Sequence, residues 1–223
     1  MYGSQIVGCG SWLPTNLVSN YDLENNLETS HKWIIERTGI KFRHIAADHI
    51  STSDMGILSV RKLIQSTVCD KVEAIVAATT TSEQNFPSVA CKIQKAIFPH
   101  KTLPAFDVQA ACSGFIYGLE MADSLIKANK YQSVLLICTE KMSSIVNWQD
   151  RNTCVLFADG ASSVLIEKVQ DNNQSKIIDT IIESDGTCHD ALVTNIDISG
   201  KKAIHMEGQN VFKRAVLYNE KDT

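Results

Sequence analysis

Phe106-Asp107-Val108-Gln109-Ala110-Ala111-Cys112-Ser113-Gly114-Phe115 is the stretch from which the rest of the chain can be read. A short apolar strand, Ala105–Val108, runs into small residues, and a cysteine follows where an amphipathic helix is predicted over 112–128. Phe115, Leu119, Ala122 and Ile126 would form that helix's apolar stripe, and Asn129 its left-handed stop. A helix N-terminus offers free amide donors and a partial positive charge, which stabilise a thiolate and an oxyanion beside it. Cys112 is therefore a candidate nucleophile; the competing structural reading is an inert core cysteine. Ala110, Ala111 and Gly114 leave room for a substrate to approach.

Outward from this point, buried strands alternate with helices. Val72–Thr79 and Ser133–Thr139 are short, apolar and β-branched, and 88–98 reads as helical. Upstream, residues 5–9 form a strand ended by Gly10 and Pro14. Residues 21–38 read as helical, capped at Asn20 or Asp22, and Ser53-Asp54 caps a helix to about residue 66. Downstream, Asp159-Gly160 reads as a hairpin turn between Val155–Phe157 and Ser163–Glu167, and Lys176–Ile182 as a further strand. This alternation predicts an α/β layered fold. The polar Asp171–Gln174 segment is the expected boundary between residues 1–170 and 171–223.

Composition narrows the function. The 223 residues are 44% hydrophobic and carry a formal charge of −4, which gives no general bias toward nucleic acid or anionic lipid. The seven cysteines form no C-x-x-C pair, so neither a disulfide framework nor a zinc knuckle is expected, and several read as small core residues. The N-terminus lacks a basic segment followed by an apolar one, and no apolar run approaches membrane-spanning length. The expected setting is a reducing cytoplasm. The six histidines are scattered outside any catalytic motif, no metal site is expected, and no G-x-G-x-x-G or P-loop follows a strand.

Several ordered blocks carry a family resemblance. They are Gly8-Cys9-Gly10-Ser11-Trp12-Leu13-Pro14, Trp33-Ile34-Ile35-Glu36-Arg37-Thr38-Gly39-Ile40, Arg43-His44-Ile45-Ala46, and Thr79-Thr80-Thr81 with Phe86-Pro87-Ser88. The nucleophile stretch follows, then Asp150-Arg151, Phe157-Ala158-Asp159-Gly160-Ala161 and Met206-Glu207-Gly208-Gln209-Asn210-Val211-Phe212-Lys213. In this order they resemble the β-ketoacyl-acyl-carrier-protein synthases of type III, a thiolase-like family. The resemblance implies a layered αβαβα fold, its first half complete and its second only begun.

It also implies roles. Cys112 would take an acyl group from an acyl-CoA primer, acetyl-CoA by default, and pass it to the carbanion made by decarboxylating malonyl-acyl-carrier protein. Trp33 and Arg151 would hold the CoA adenine, Arg37 a phosphate, and Thr29 and Asn152 lesser contacts; Asn152 stands where the family often has glycine. Phe86 would close the acyl pocket across a homodimer interface, with Met206 and Phe212 lining the channel. Without the resemblance, Trp33 and the acyl-pocket residues read as ordinary packing and Arg151 as a solvated charge. Acyl-CoA and acyl-carrier protein are the implied partners, as substrates, with no resident cofactor. The family's decarboxylating His and Asn, in His-Gln-Ala-Asn and Gly-Asn-Thr-Ser motifs, have no match here. This chain alone is therefore expected to load Cys112 at most, as a C-terminally truncated synthase, and to expose an apolar face that favours association. The rival readings are a synthase with CoA-bound acceptors, an inactive thiolase-like fragment that only binds CoA or a partner chain, and a nucleotide-binding α/β domain.

Overall fold

In the computed structural model, which describes residues 3–169, 175–196, 200 and 202–219, the elements run as follows. β1 is Gly3–Trp12, β2 Leu17–Ser19, α1 Asn20–Glu24, α2 His31–Thr38, β3 Phe42–His44, α3 Thr52–Ile64 and β4 Ala74–Ala78. Then come α4 Val89–Ile97, β5 Ala105–Val108, α5 Gly114–Lys127, β6 Ser133–Lys141, β7 Asp159–Val169, β8 Leu192–Ile196, β9 Lys202–Met206 and α6 Gly208–Asn219. The Asp171–Gln174 segment lies outside the described residues. The chain forms two compact units from interleaved segments. The first is Met1–Thr15, Ala46–Lys141 and Asp159–Ile182; the second is Asn16–Ile45, Met142–Ala158 and Glu183–Thr223.

The first unit is built on a five-stranded sheet in the order β1-β7-β6-β4-β5. β5 and β6 run parallel to β4, whereas β7 is antiparallel to both β6 and β1. The period of two along the central strands sorts side chains to opposite faces. Ile75, Ala77, Leu135, Ile137 and Leu165 pack with Val60 and Leu63 of α3 and Ile93 of α4. Ala74, Val76, Val134, Leu136 and Ile166 pack with Ala122 and Ile126 of α5. Helices on both faces make this a mixed α/β layer structure, in which each fully buried Ile or Leu contributes about 1.5–3 kcal/mol. On α5, Leu119 joins the core with Ala122 and Ile126, as the predicted stripe requires, while Phe115 remains 36% exposed.

The second unit has a smaller core of Leu23, Ile34, Val146, Cys154, Val155 and Ile204. It contains the antiparallel pairs β2–β3 and β8–β9. Arg43, only 1% exposed, lies inside it. Its guanidinium donates to the Val155 carbonyl at 2.9 and 2.6 Å and to Asn20 Oδ1 at 2.6 Å. Burial lowers its pKa, against a smaller opposing influence of Cys154.

Several expectations change. β1 passes through Gly8 and Gly10 instead of stopping at Gly10. A Cβ at Gly10 would sit 2.4 Å from the Leu63 amide nitrogen and the Ser59 carbonyl, so glycine there permits close contact with α3. Residues 21–38 hold two helices, capped by Ser19 and Ser30 and not by Asn20 or Asp22. Ser51 caps α3, with Asp54 as the reciprocal member of a capping box. Asp159-Gly160 opens β7 opposite Lys141 and Glu140, and Val155–Phe157 is not a strand. Asp159 is buried and accepts the Ala46 amide at 2.8 Å, which holds it in place. Lys176–Ile182 forms no strand, although the Ile177 amide donates to the Ser4 carbonyl at 2.8 Å.

Candidate active site

The nucleophile stretch occupies the C-terminal edge of the parallel strands, where open α/β sheets bind ligands. β5 ends at Val108, Ala110 follows at φ −141°, and Ala111 adopts a left-handed φ of 46°. Cys112 is exposed in the 3-10 turn Ala111–Ser113 that leads into α5, so the helix starts at Gly114, two residues later than predicted. A positive φ is costly for alanine, and Ala111 adopts it although it is exposed. Neither the turn nor α5 has a side-chain cap, so no side chain competes with a ligand oxygen for the amide donors at this end. A Cβ at Gly114 would lie 3.1 Å from Ala78 Cβ, which keeps the turn tight against β4.

The neighbouring strand ends are held by carboxylates. Asp107 of β5 accepts the Val89 and Ala90 amides at 2.8 Å each, fixing the start of α4. Glu140 of β6 accepts the Thr80 amide at 2.7 Å and the Thr81 hydroxyl at 2.5 Å. Sequence reading missed Glu140. Its signal is a carboxylate ending a buried strand in a chain that also carries three consecutive threonines after another. Burial pushes the Glu140 carboxyl up, and the threonine hydrogen bonds only partly offset this. Cys138, half-buried two residues earlier, is pushed by burial, and secondarily by Glu140, to about 11, which suits an inert thiol. Cys69 and Cys154 are buried, whereas Cys9 and Cys91 are exposed and not core. Phe86 is 84% exposed on the segment between β4 and α4.

The second unit gathers another group of predicted residues. Ser30 caps α2 by accepting the Trp33 amide at 3.1 Å, and Gly39 ends the helix in the left-handed conformation. The Arg37 guanidinium lies 4.4 Å from the Trp33 ring centre and the Arg151 guanidinium 5.3 Å from it. Arg151 also donates to the Glu28 carbonyl at 2.5 Å. The next residue, Thr29, has a buried hydroxyl with no hydrogen-bond partner. An indole flanked by two cations, with an orphan hydroxyl one residue beyond the Arg151 contact, can take a planar base and an anion. Asn152 and Met206 line a polar depression with Asn147, Asp150, Asn195 and His205, while Phe212 on α6 is 70% exposed.

Comparison with known proteins decides the family. Residues 106–186, which include Cys112, match the model of 3-oxoacyl-[acyl-carrier-protein (ACP)] synthase III. The β-ketoacyl-[acyl-carrier-protein] synthase III of Rickettsia canadensis is 43% identical over 217 residues, covering 95% of this chain and 68% of that protein. The chain belongs to the β-ketoacyl-acyl-carrier-protein synthase III family. The crystal structure of 3-oxoacyl-[acyl-carrier-protein] synthase III from Aquifex aeolicus VF5 superposes with a TM-score of 0.85 at 40% identity, over 95% of this chain and 67% of that one. The Thermus thermophilus synthase III gives 0.87 at 34% identity, with the same coverage. This chain thus spans about two thirds of the length of these relatives. It shares the thiolase-like mixed α/β fold of an acyltransferase family of fatty-acid synthesis. Among the described residues, no helix is long and apolar enough to cross a membrane.

Proposed function

We propose that Cys112 carries the acyl group in a decarboxylative condensation that primes fatty-acid synthesis. The Cys112 thiolate attacks the thioester carbonyl of an acyl-CoA, by default acetyl-CoA. The carbon–sulfur bond to CoA then breaks and CoA leaves as its thiolate. Amide donors at the head of α5 hold the oxyanion between these two events. Malonyl-acyl-carrier protein next loses carbon dioxide, and its carbanion attacks the acyl-Cys112 carbonyl, forming the new carbon–carbon bond and restoring the thiolate. The family's decarboxylating His and Asn have no counterpart among residues 1–223, so the loading half is the part these residues supply.

Trp33 and Arg151 take the CoA adenine, Arg37 a phosphate, and Thr29 and Asn152 further polar contacts. The orphan Thr29 hydroxyl supports this assignment. Phe86, Met206 and Phe212 serve the acyl chain. Acyl-CoA and acyl-carrier protein are substrates, no resident cofactor is needed, and the working form is a cytoplasmic homodimer. Residues 1–170 correspond to the first thiolase-like half and 171–223 to the start of the second. The observation that carries the proposal is the exposed Cys112 behind a left-handed Ala111 at the head of α5.

Intact-protein mass spectrometry after incubation with acetyl-CoA tests it. A single acetyl adduct that disappears in Cys112→Ala is expected. A folded chain that binds CoA but never acquires an adduct would refute loading, and would favour the reading of a thiolase-like chain that only binds CoA or a partner.

A further inference from the structure

The segment from Thr79 to Ser88 is an arch fastened at both feet. At the first foot, Glu140 accepts four hydrogen bonds: from the Thr80 amide (2.7 Å) and from the hydroxyls of Thr81 (2.5 Å), Thr80 (3.1 Å) and Thr79 (3.4 Å). Each hydroxyl has one proton to give, and the acceptor sites match. Thr81 Oγ1 donates to Glu140 while accepting the Lys141 amide at 2.8 Å, and Thr79 Oγ1 accepts the Thr81 amide at 3.2 Å. Thr52 of α3 donates to the Thr81 carbonyl at 2.6 Å. Midway, Glu83 is gripped by the Ser53 hydroxyl at 2.5 Å and the Lys92 ammonium at 2.8 Å. At the second foot, Ser88 caps α4 and Asp107 accepts its first two amides. The crown between these fastenings, Gln84–Pro87, is exposed and carries Phe86 outward.

This arch borders the nucleophile turn, because the Thr79 amide donates to the Val108 carbonyl at 3.2 Å, four residues before Cys112. A half-buried carboxylate is an expensive anchor for a loop unless the loop's position matters. We infer that Glu140 is a positioning residue that, through Thr79–Thr81, sets the stance of the Phe86 arch and thereby, across the homodimer interface of the proposed working form, the acyl length accepted at Cys112 of the partner subunit. The inference rests on the acyl-loading reading given above. Glu140 touches no substrate; it acts by removing the freedom of the arch foot, so that a long acyl chain cannot gain room by displacing it.

Two variants test this. Glu140→Gln keeps an acceptor for the Thr80 amide and a polar partner for the hydroxyls, whereas Glu140→Ala removes all four bonds. Loading of Cys112 is timed by intact mass with acetyl-CoA and hexanoyl-CoA, and amide exchange is followed over residues 79–88. In Glu140→Ala the ratio of acetyl to hexanoyl loading should fall about tenfold. Arch amides should exchange at least ~10-fold faster while α5 amides hold. Glu140→Gln should stay within about twofold of the native protein on both counts. An unchanged ratio, or an unchanged arch exchange, in a folded Glu140→Ala protein overturns the inference. Equal losses in Glu140→Ala and Glu140→Gln overturn it too. Should Glu140→Ala unfold, Thr80→Val, which removes one of the four bonds, must shift the ratio in the same direction for the inference to survive. If the native chain acquires no adduct with either thioester, the loading reading and the selectivity claim fall, and exchange alone decides whether Glu140 holds the arch.

Discussion

Replacing Trp33 with leucine separates the platform reading from simple packing. The indole packs partly against the Leu23–Ile34 core, and leucine keeps apolar bulk there while removing the aromatic face. Stacking a base on an aromatic ring is worth ~1–3 kcal/mol by substitution. The ring already has cationic neighbours, Arg37 at 4.4 Å and Arg151 at 5.3 Å. An incoming adenine must displace one of them, forfeiting about 0.5–1 kcal/mol of cation–π attraction. The net loss in Trp33→Leu should be ~1–2 kcal/mol, a CoA affinity weakened about 5–30-fold. Titration calorimetry with CoA measures it, with circular dichroism to show the variant is folded. Adenosine 3′,5′-bisphosphate should show the same ratio, because the lost contact is to the base, and pantetheine should show none. A folded variant that binds CoA within about twofold of the native protein would refute the stacking argument, as would an equal effect on pantetheine.

Two further predictions concern the scaffold. Gly10→Ala drives a Cβ to 2.4 Å from the α3 backbone and should cost ~1–3 kcal/mol, seen as a melting point lower by about 2–12 °C. Gly186→Ala, with nothing within 4 Å, should melt with the native protein. Burial raises the Asp54 carboxyl, but its hydrogen bonds from Ser51, helped by Lys92 and His49, outweigh this and hold it below 3.8. A depressed folded pKa means that this stabilisation is present above about pH 3.8 and is lost as pH falls through the folded value. Urea midpoints of the native protein and Asp54→Asn should therefore differ most well above pH 3.8 and converge as pH falls below it; a constant gap would contradict the assignment.

The parts of this fold that could be read in the sequence are those where local chemistry and tertiary placement agree. Ala105–Val108 is a strand as predicted: Phe106 and Val108 pack against the core while Asp107 caps the start of α4. Asn129 takes the anticipated left-handed φ, at 58°. Asp159-Gly160 misled because a D-G pair favours a tight hairpin through positive φ, and neither residue adopts one here. Ala111 was illegible for the converse reason: it adopts a positive φ that alanine disfavours, so its residue type carries no sign of it. Cys112 could be singled out as a candidate from its strand-to-helix setting and the family blocks. Glu140 could not, since its partners lie 59–61 residues away and a carboxylate near a strand end does not by itself say which threonines it will hold. Trp33 and Arg151 likewise depended on resemblance, as 118 positions separate two side chains that meet at one ring.

The strand order has a consequence for how the molecule is made. Among the described residues β1 pairs in the sheet with β7 alone, Gly3 opposite Val169, so β1 is synthesised long before the strand it pairs with. At about 5–20 residues per second, some 8–30 s of synthesis separate them. β4, α4, β5, α5 and β6 can meanwhile assemble, since the parallel pairs they need lie close in sequence. During that interval Ile6 and Val7 have no sheet to join, and a nascent chain must keep an extended apolar segment from neighbours on the same messenger. Vectorial translation thus leaves β1 in need of protection until β7 has been made, far in sequence from the chemistry it eventually helps to support.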